Sequence, residues 1–266
     1  MDFQAAGGEP SLAVSISEAV ATIAIDRPAR KNAVTQAMWL EIARIVPELA
    51  ERDDVRVIVL TGRGADFSAG ADIGEFETVR ATPESARRYE AANSAAFSAL
   101  RLCSVPTIAS IRGICFGGGF GLAVSCDLRI ATTGALFAVP AARLGLAYPV
   151  DAMADIVEAL GAQRAKHLLF SASRLSAAEA HRAGFLLDAV DEADLDRRVT
   201  ELGLAIAQNA PLTIRASKMA IRSVLTSDPA TIAEAERLGA ETFESLDYAE
   251  GRAAFAERRL PRFKGR

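Results

Sequence analysis

Histidine is scarce in this chain: His167 and His181 are the two present among 266 residues. Imidazole-based acid–base or nucleophilic chemistry therefore has few candidates, and both fall in helical-looking patterns, where a structural or surface role is the commoner one. Cysteine is also sparse. Cys103, Cys115 and Cys126 form neither a C-x-x-C pair nor a Cys/His ligand pattern, so no metal site is expected, and three thiols among apolar neighbours read as reduced and buried. That favours a cytoplasmic setting. No apolar run approaches the ~18 residues of a membrane span, and the first ten residues lack a basic segment followed by an apolar one, so neither a membrane anchor nor a secretion signal is expected. Positive charge is not in excess either. With 30 Lys+Arg against 34 Asp+Glu the net charge is −4 and the pI about 5.4, which argues against nucleic acid as the main partner.

What is present suits a large buried core. Half the residues are apolar and 24% are charged, a balance usual for a soluble enzyme with much surface buried internally or between subunits. Alternation of Leu12, Val14 and Ile16, then Val20, Ile23 and Ile25, around Ser17-Glu18-Ala19 predicts a hairpin. After Thr35, the spacing of Met38, Ile42, Ile45, Val46 and Leu49 predicts a helix that Pro47 should kink or shorten, with Trp39 in its packing. Val55 to Leu60 and Thr107 to Ile111 read as strands, Pro83 to Leu102 as a helix, and residues 127–131 and 135–139 as two more strands. From Ala152 onward the pattern is mostly helical, including 194–207 and 211–225. The order implies recurring ββα units rather than a simple Rossmann half.

Two glycine-bearing stretches carry the chemistry: Phe67-Ser68-Ala69-Gly70-Ala71-Asp72 and Gly113 to Gly121. Each follows a strand-like run, so each can place a backbone N–H at a strand-to-helix turn beside a helix N-terminus, a geometry that stabilises an oxyanion. The same spacing also fits two tight turns that serve only strand–helix packing. Gly117-Gly118-Gly119 lets backbone approach a ligand closely, and Gly70 permits positive φ just before Ala71. A dinucleotide-binding G-x-G-x-x-G fits poorly, because no acidic residue follows at the ribose distance. Acids are absent nearby too. Phe120-Gly121-Leu122 and Val139-Pro140-Ala141 contain none.

Together with Asp26-Arg27-Pro28, Asn32-Ala33, Leu60-Thr61-Gly62, Ser125-Cys126-Asp127, Pro140, Arg143-Leu144-Gly145-Leu146, the segment from Glu250 to Phe255, and Phe263-Lys264-Gly265, these stretches make the chain resemble the crotonase superfamily, the enoyl-CoA hydratase/isomerase group, from Leu12 onward. The resemblance implies an α/β fold. In it a crotonase-like spiral of ββα units fills residues 1–195, and a helical region, 196–266, covers the site and mediates homotrimers or dimers of trimers. It further implies that the N–H groups of Ala71 and Gly118 form an oxyanion hole for a CoA thioester carbonyl that becomes an enolate. Adenine and pantetheine would lie along Ala29, Arg30, Lys31 and the Ala69, Gly70, Asp72 segment beside Gly117, and Lys264 would reach a CoA phosphate from a neighbouring subunit. No cofactor is implied beyond the coenzyme A of the substrate.

The resemblance also marks an absence. In hydratases of this superfamily two glutamates hold and activate the water, and the matching positions here are Gly121 and Ala141; a third position, used by some isomerases and dehalogenases, falls on Pro149. None of the three can transfer a proton, so ordinary enoyl-CoA hydration is disfavoured. The remaining polar candidates are Tyr148, Asp151, Arg143, Asp72, Ser68, Cys115 and Cys126. Asp151 reads as either the N-cap of the helix from Ala152 or a catalytic acid, and Tyr148 as either pocket wall or proton donor. Asp72 reads as a helix cap, Arg143 as a brace for its loop and Asp127 as a structural turn. Phe76, Val79, Tyr89 and Phe97 form either an acyl-tunnel wall or core. Two functions stay open: an acyl-CoA enzyme with a non-glutamate proton relay, catalysing isomerisation, decarboxylation or C–C bond hydrolysis, or a noncatalytic acyl-CoA binding protein.

Overall fold

The alternating run from Leu12 forms the hairpin its sequence implies. Strands β1 (Leu12–Ser17) and β2 (Val20–Ile25) pair antiparallel, and Ala21, Ile23 and Ile25 point into the core. The computed structural model describes residues 12–266. Helix α1 (Gln36–Ala50) starts at Thr35, whose hydroxyl accepts from the Met38 N–H. It runs on through Pro47 to Ala50, so the shortening that the proline allowed does not occur. Pro47 sits in the last turn, so its missing N–H removes one bond near an end that already frays.

Strand β3 (Val57–Gly62) leads through the first glycine stretch to a 3-10 turn at Ile73–Glu75, then α2 (Phe76–Val79) and α3 (Pro83–Arg101). Thr82 and Ser85 cap α3 reciprocally, with Pro83 at its first position. The chain continues as β4 (Thr107–Ile111), β5 (Ile114–Phe116), α4 (Gly118–Ser125), β6 (Leu128–Thr132), β7 (Leu136–Ala138), a 3-10 turn at Pro140–Leu144, and α5 (Val150–Ser171). Then come β8 (Arg174–Ser176), α6 (Ala177–Arg182), β9 (Asp188–Val190), α7 (Leu195–Ala207), α8 (Pro211–Thr226), α9 (Pro229–Glu244) and α10 (Leu246–Glu257).

The strands sort into a six-stranded sheet, β1-β2-β3-β4-β6-β9, and a three-stranded sheet, β5-β7-β8. Apart from the β1–β2 hairpin the larger sheet is parallel. Successive turns of the chain give one strand to each sheet, β4 then β5 and β6 then β7, each pair followed by a helix. This is the crotonase-type spiral, with its helical region at the C-terminal end. Strands β8 and β9 lie in a region that reads as helix; at three residues each they are too short for a periodic signal.

Aromatic packing closes the interior. Phe120 stacks on Phe185 at 5.0 Å and Phe137 meets Phe185 edge-on at 5.2 Å. On the other face of the large sheet, Leu195, Val199 and Ala207 of α7 pack with Val57, Val59, Ile108 and Ile130. The division expected after residue 195 therefore falls at the first residue of a helix that shares a core with the sheet. Helices α8 and α9 pack mainly on each other. They and α10 present Ile221, Val224, Phe243 and Phe255 to the outside. No helix among the described residues is long and apolar enough to cross a membrane.

Candidate active site

The first glycine stretch is fixed by a buried hydrogen-bond node. Asn32 accepts from Arg27 N through Oδ1 and donates through Nδ2 to the carbonyls of Arg63 and Asp66. Ser68 donates its N–H to Ile114 O at 3.0 Å, and its carbonyl accepts from Phe116 N at 2.9 Å, which ties the stretch to β5. Its hydroxyl donates to Asn32 O at 2.8 Å and accepts from Gly70 N at 3.0 Å. One step further, Val34 donates to Gly70 O at 2.8 Å and accepts from Asp72 N at 2.9 Å. In a parallel pairing of this kind the intervening residue turns its own N–H the other way. That residue is Ala71.

The second stretch meets it there. Gly117, at φ 50°, donates its N–H to Ala138 O at 2.8 Å, and α4 begins at Gly118. An amide at the first position of a helix has no intrahelical acceptor. A Cβ on Gly70, which has φ 93°, would stand 2.6 Å from Phe116 O and 2.8 Å from Gly118 N, and one on Gly118 would stand 3.5 Å from Ala71 N. The two stretches are thus in direct backbone contact, which a side chain at residue 70 would prevent. Among the described residues the N–H groups of Ala71 and Gly118 have no hydrogen-bond acceptor, and both residues are partly open to solvent.

Around this pair lie most of the other expected binding residues. Ala29 and Arg30 form an exposed 3-10 turn with Lys31 at its end, and Lys31 O accepts from Ala69 N at 2.9 Å. Asp72 caps the turn at Ile73–Glu75 through Gly74 N, as expected, and also pairs with Arg27 at 2.8 Å. Burial opposes ionisation of Asp72, but Arg27 and the Gly74 N–H outweigh it and hold the carboxyl below its ordinary range. Lys264 lies on the C-terminal tail: Asp247 accepts from its backbone N–H, and the residue faces outward.

Position 121 is filled. Gly121 is buried, and a Cβ there would stand 2.1 Å from Phe97 Cζ and 2.6 Å from Tyr148 Oη. Phe97 in turn packs edge-on against Trp39, whose ring abuts Gly118. Tyr148 donates its hydroxyl to Gly117 O at 2.8 Å, and burial pushes its pKa above the ordinary tyrosine range. The proton that a donor role would use is therefore directed at the backbone. Ala141 lies in the 3-10 turn Pro140–Leu144, and Pro149 is the N-cap residue of α5.

Asp151 is not the cap of that helix, since Pro149 holds the position; it sits in the first turn, where a carboxylate complements the helix dipole. Its oxygens face α3, 3.3 Å from Ser94 Oγ and 3.7 Å from Arg101 Nη1. Arg143 is exposed and makes no hydrogen bond or ion pair among the described residues, so it does not brace its loop. Asp127 is held by Thr107 and Lys218, in keeping with a structural turn. Burial pushes the Cys126 thiol up to about 12 and Cys115 well above its usual range, so neither supplies a thiolate. His167 and His181 are exposed. Among the described residues no three His, Cys, Asp or Glu side chains gather as a metal site would require.

One carboxylate escaped the sequence reading. Glu90 pairs with Arg80 at 3.2 Å, and burial raises its pKa, with Asp151 adding to the effect. Glu90, Ser94, Phe97 and Arg101 recur at helical spacing along α3. Three of the four meet residues 121, 148 or 151, and that spacing was the available signal.

Gly121→Ala forces the Phe97 ring to move and is expected to cost about 1–3 kcal/mol in urea unfolding; Phe97→Leu should recover part of that loss in a double-mutant cycle. Asp72→Asn is expected to cost about 1–2 kcal/mol at neutral pH. Because the folded-state pKa of Asp72 is lowered, its contribution is present above the unfolded value of about 3.9 and is lost as pH falls through the folded one. The gap between wild type and Asp72→Asn should close in that acid range when unfolding is followed against pH.

The chain is similar to known proteins along almost its whole length. The family model described as enoyl-CoA hydratase/isomerase matches residues 15–266. A short-chain-enoyl-CoA hydratase from Clostridium acetobutylicum is 32% identical over 251 residues, covering 93% of this chain and 95% of that protein. Among solved structures, an enoyl-CoA hydratase/isomerase family protein from Hyphomonas neptunium superposes with a TM-score of 0.92 at 33% identity, covering 96% of this chain and 98% of that one. An enoyl-CoA hydratase from Bacillus anthracis gives 0.90 at 29% identity, covering 96% of this chain and 100% of that one. This chain belongs to the enoyl-CoA hydratase/isomerase family of the crotonase superfamily.

Proposed function

We propose that this protein binds an acyl-CoA thioester with the thioester oxygen between the N–H groups of Ala71 and Gly118, and stabilises the enolate formed from it. The observation that carries this reading is the pair of unpartnered amides on two stretches held in contact. One of them heads a helix, where developing negative charge is favoured. The exposed Arg30 and Lys31 beside Ala69 supply positive charge for the phosphates of coenzyme A.

In this reading Gly121, Ala141 and Pro149 stand where acids act in relatives, so hydration is not the reaction. A proton relay through another group serves isomerisation, decarboxylation or C–C bond hydrolysis, all of which pass through an enolate. Glu90 and Asp151, whose charges both bear on Tyr148, are the carboxylates available for it. A noncatalytic acyl-CoA binder is the second reading, favoured by the aromatic filling of position 121.

Calorimetric titration with CoA and several acyl-CoAs, run beside a crotonyl-CoA hydration assay, tests both readings. Acyl-CoA binding without rapid hydration is expected; fast hydration overturns the reading of residues 121 and 141. Ala71→Pro removes one donor and should weaken enolate-like thioesters by roughly 3 kcal/mol, about a hundredfold, while CoA alone binds nearly as before. Equal weakening of both ligands rejects the oxyanion hole.

We further propose homotrimers, or dimers of trimers, formed through the C-terminal helices, on the strength of their outward-facing Val224, Phe243 and Phe255, which are 78%, 70% and 88% exposed in the single chain. Sedimentation equilibrium should give a multiple of three chain masses, and Val224→Asp with Phe255→Asp should shift it toward monomer.

A further inference from the structure

The N–H of Gly118 shares a peptide unit with the carbonyl of Gly117, and that carbonyl is where Tyr148 points. Tyr148 Oη donates to Gly117 O at 2.8 Å, and Gly121 N donates to the same oxygen at 3.1 Å. A peptide unit is planar, so fixing its oxygen fixes the direction of its N–H. The backbone needs that help. Gly117, at φ 50° and ψ −117°, is in a region open to glycine alone at low cost, and its conformational freedom would otherwise let the plane rock.

The phenol reaches this oxygen because residue 121 has no side chain. A Cβ there would stand 2.6 Å from Tyr148 Oη and closer still to Phe97. Gly121 therefore leaves the space the hydroxyl occupies. Tyr148 comes from the loop between the turn at Pro140–Leu144 and α5, and so joins the glycine loop to a separate part of the chain. A donor on the carbonyl also draws electron density from the amide nitrogen and makes its N–H a stronger donor in turn.

We propose that Tyr148 is a positioning residue for the oxyanion: its hydroxyl bond to Gly117 O aims and polarises the Gly118 N–H. The proposal rests on the enolate reading given above, in which that N–H is one of two donors. It replaces the role of proton donor with one that acts through the backbone, so the hydroxyl keeps its proton throughout.

Acetoacetyl-CoA is the probe, because its enolate absorbs in the near ultraviolet, and CoA is the control. The ratio of enolate to keto form of the bound probe is read at one fixed pH for wild type, Tyr148→Phe, and protein carrying 3-fluorotyrosine at position 148. Tyr148→Phe should lower the enolate ratio about tenfold with CoA affinity unchanged. Fluorotyrosine, a more acidic and stronger donor, should raise it, a direction that loss of packing cannot produce. An unchanged ratio in Tyr148→Phe, or equal loss of CoA and enolate binding, overturns the proposal. If Tyr148→Phe does not fold, the fluorotyrosine protein decides, and an unchanged or lower ratio there overturns it. Wild type that holds no more enolate than free solution defeats the enolate reading itself, and this proposal falls with it; wild type that does, with both Tyr148 substitutions silent, defeats the role of Tyr148 alone.

Discussion

At Gly70 the two halves of the site touch through bare backbone, with Phe116 O and Gly118 N both closer than any Cβ would permit. The rest of the local structure makes that approach hold. Ser68 is bonded to β5 on one side and to Asn32 on the other, and Val34 takes both peptide groups that flank Ala71. With those bonds made, the Ala71 amide is left facing the glycine loop. Two amides left unpaired among the described residues are tolerable at a partly open surface because water can reach them. A site built this way depends little on the side chain at residue 71 and strongly on whatever sets the path of the two stretches.

Much of that was legible in residues whose cause is local. The hairpin followed from alternation at Leu12 to Ile25, the start of α1 from Thr35, and the start of α3 from Thr82-Pro83. The glycine stretches announced themselves by composition, because few residues other than glycine accept a φ of 93°, as at Gly70, or the pairing of φ 50° with ψ −117° found at Gly117. What stayed hidden was set from a distance. Strands β8 and β9 exist because β7 and β6 offer edges to pair with, not because Arg174–Ser176 or Asp188–Val190 carry a pattern of their own. Asp151 was misplaced as a cap because the helix begins two residues earlier than its sequence implies, at Val150 after Pro149. Glu90 went unread because its importance comes from the loop at 148 and the first turn of α5, far along the chain.

The surroundings of Gly121 decide what that position can hold. A carboxylate simply deleted from a closed site would leave a void, and buried voids are costly because their lining loses contacts on one side. Here the space is taken: Phe97 and Tyr148 crowd the Cα of residue 121, Phe97 lies edge-on to Trp39, and Trp39 is bonded through Nε1 to Tyr89 Oη. These rings form one aromatic wall behind the glycine loop. The wall belongs to the core, since Trp39, Tyr89 and Phe97 are all fully buried.

Placing an acid at residue 121 is for that reason not a single change. A glutamate would displace Phe97 and crowd Tyr148 away from Gly117 O, the carbonyl of the peptide that carries the Gly118 N–H. The glycine at residue 121 and the phenol bond to Gly117 O belong to one packing arrangement, because a side chain there would take the space of the Tyr148 hydroxyl. At residue 121 the space beside the glycine loop is held by Phe97 and Tyr148, and the carboxylates whose charges bear on that phenol from α3 and α5 are Glu90 and Asp151.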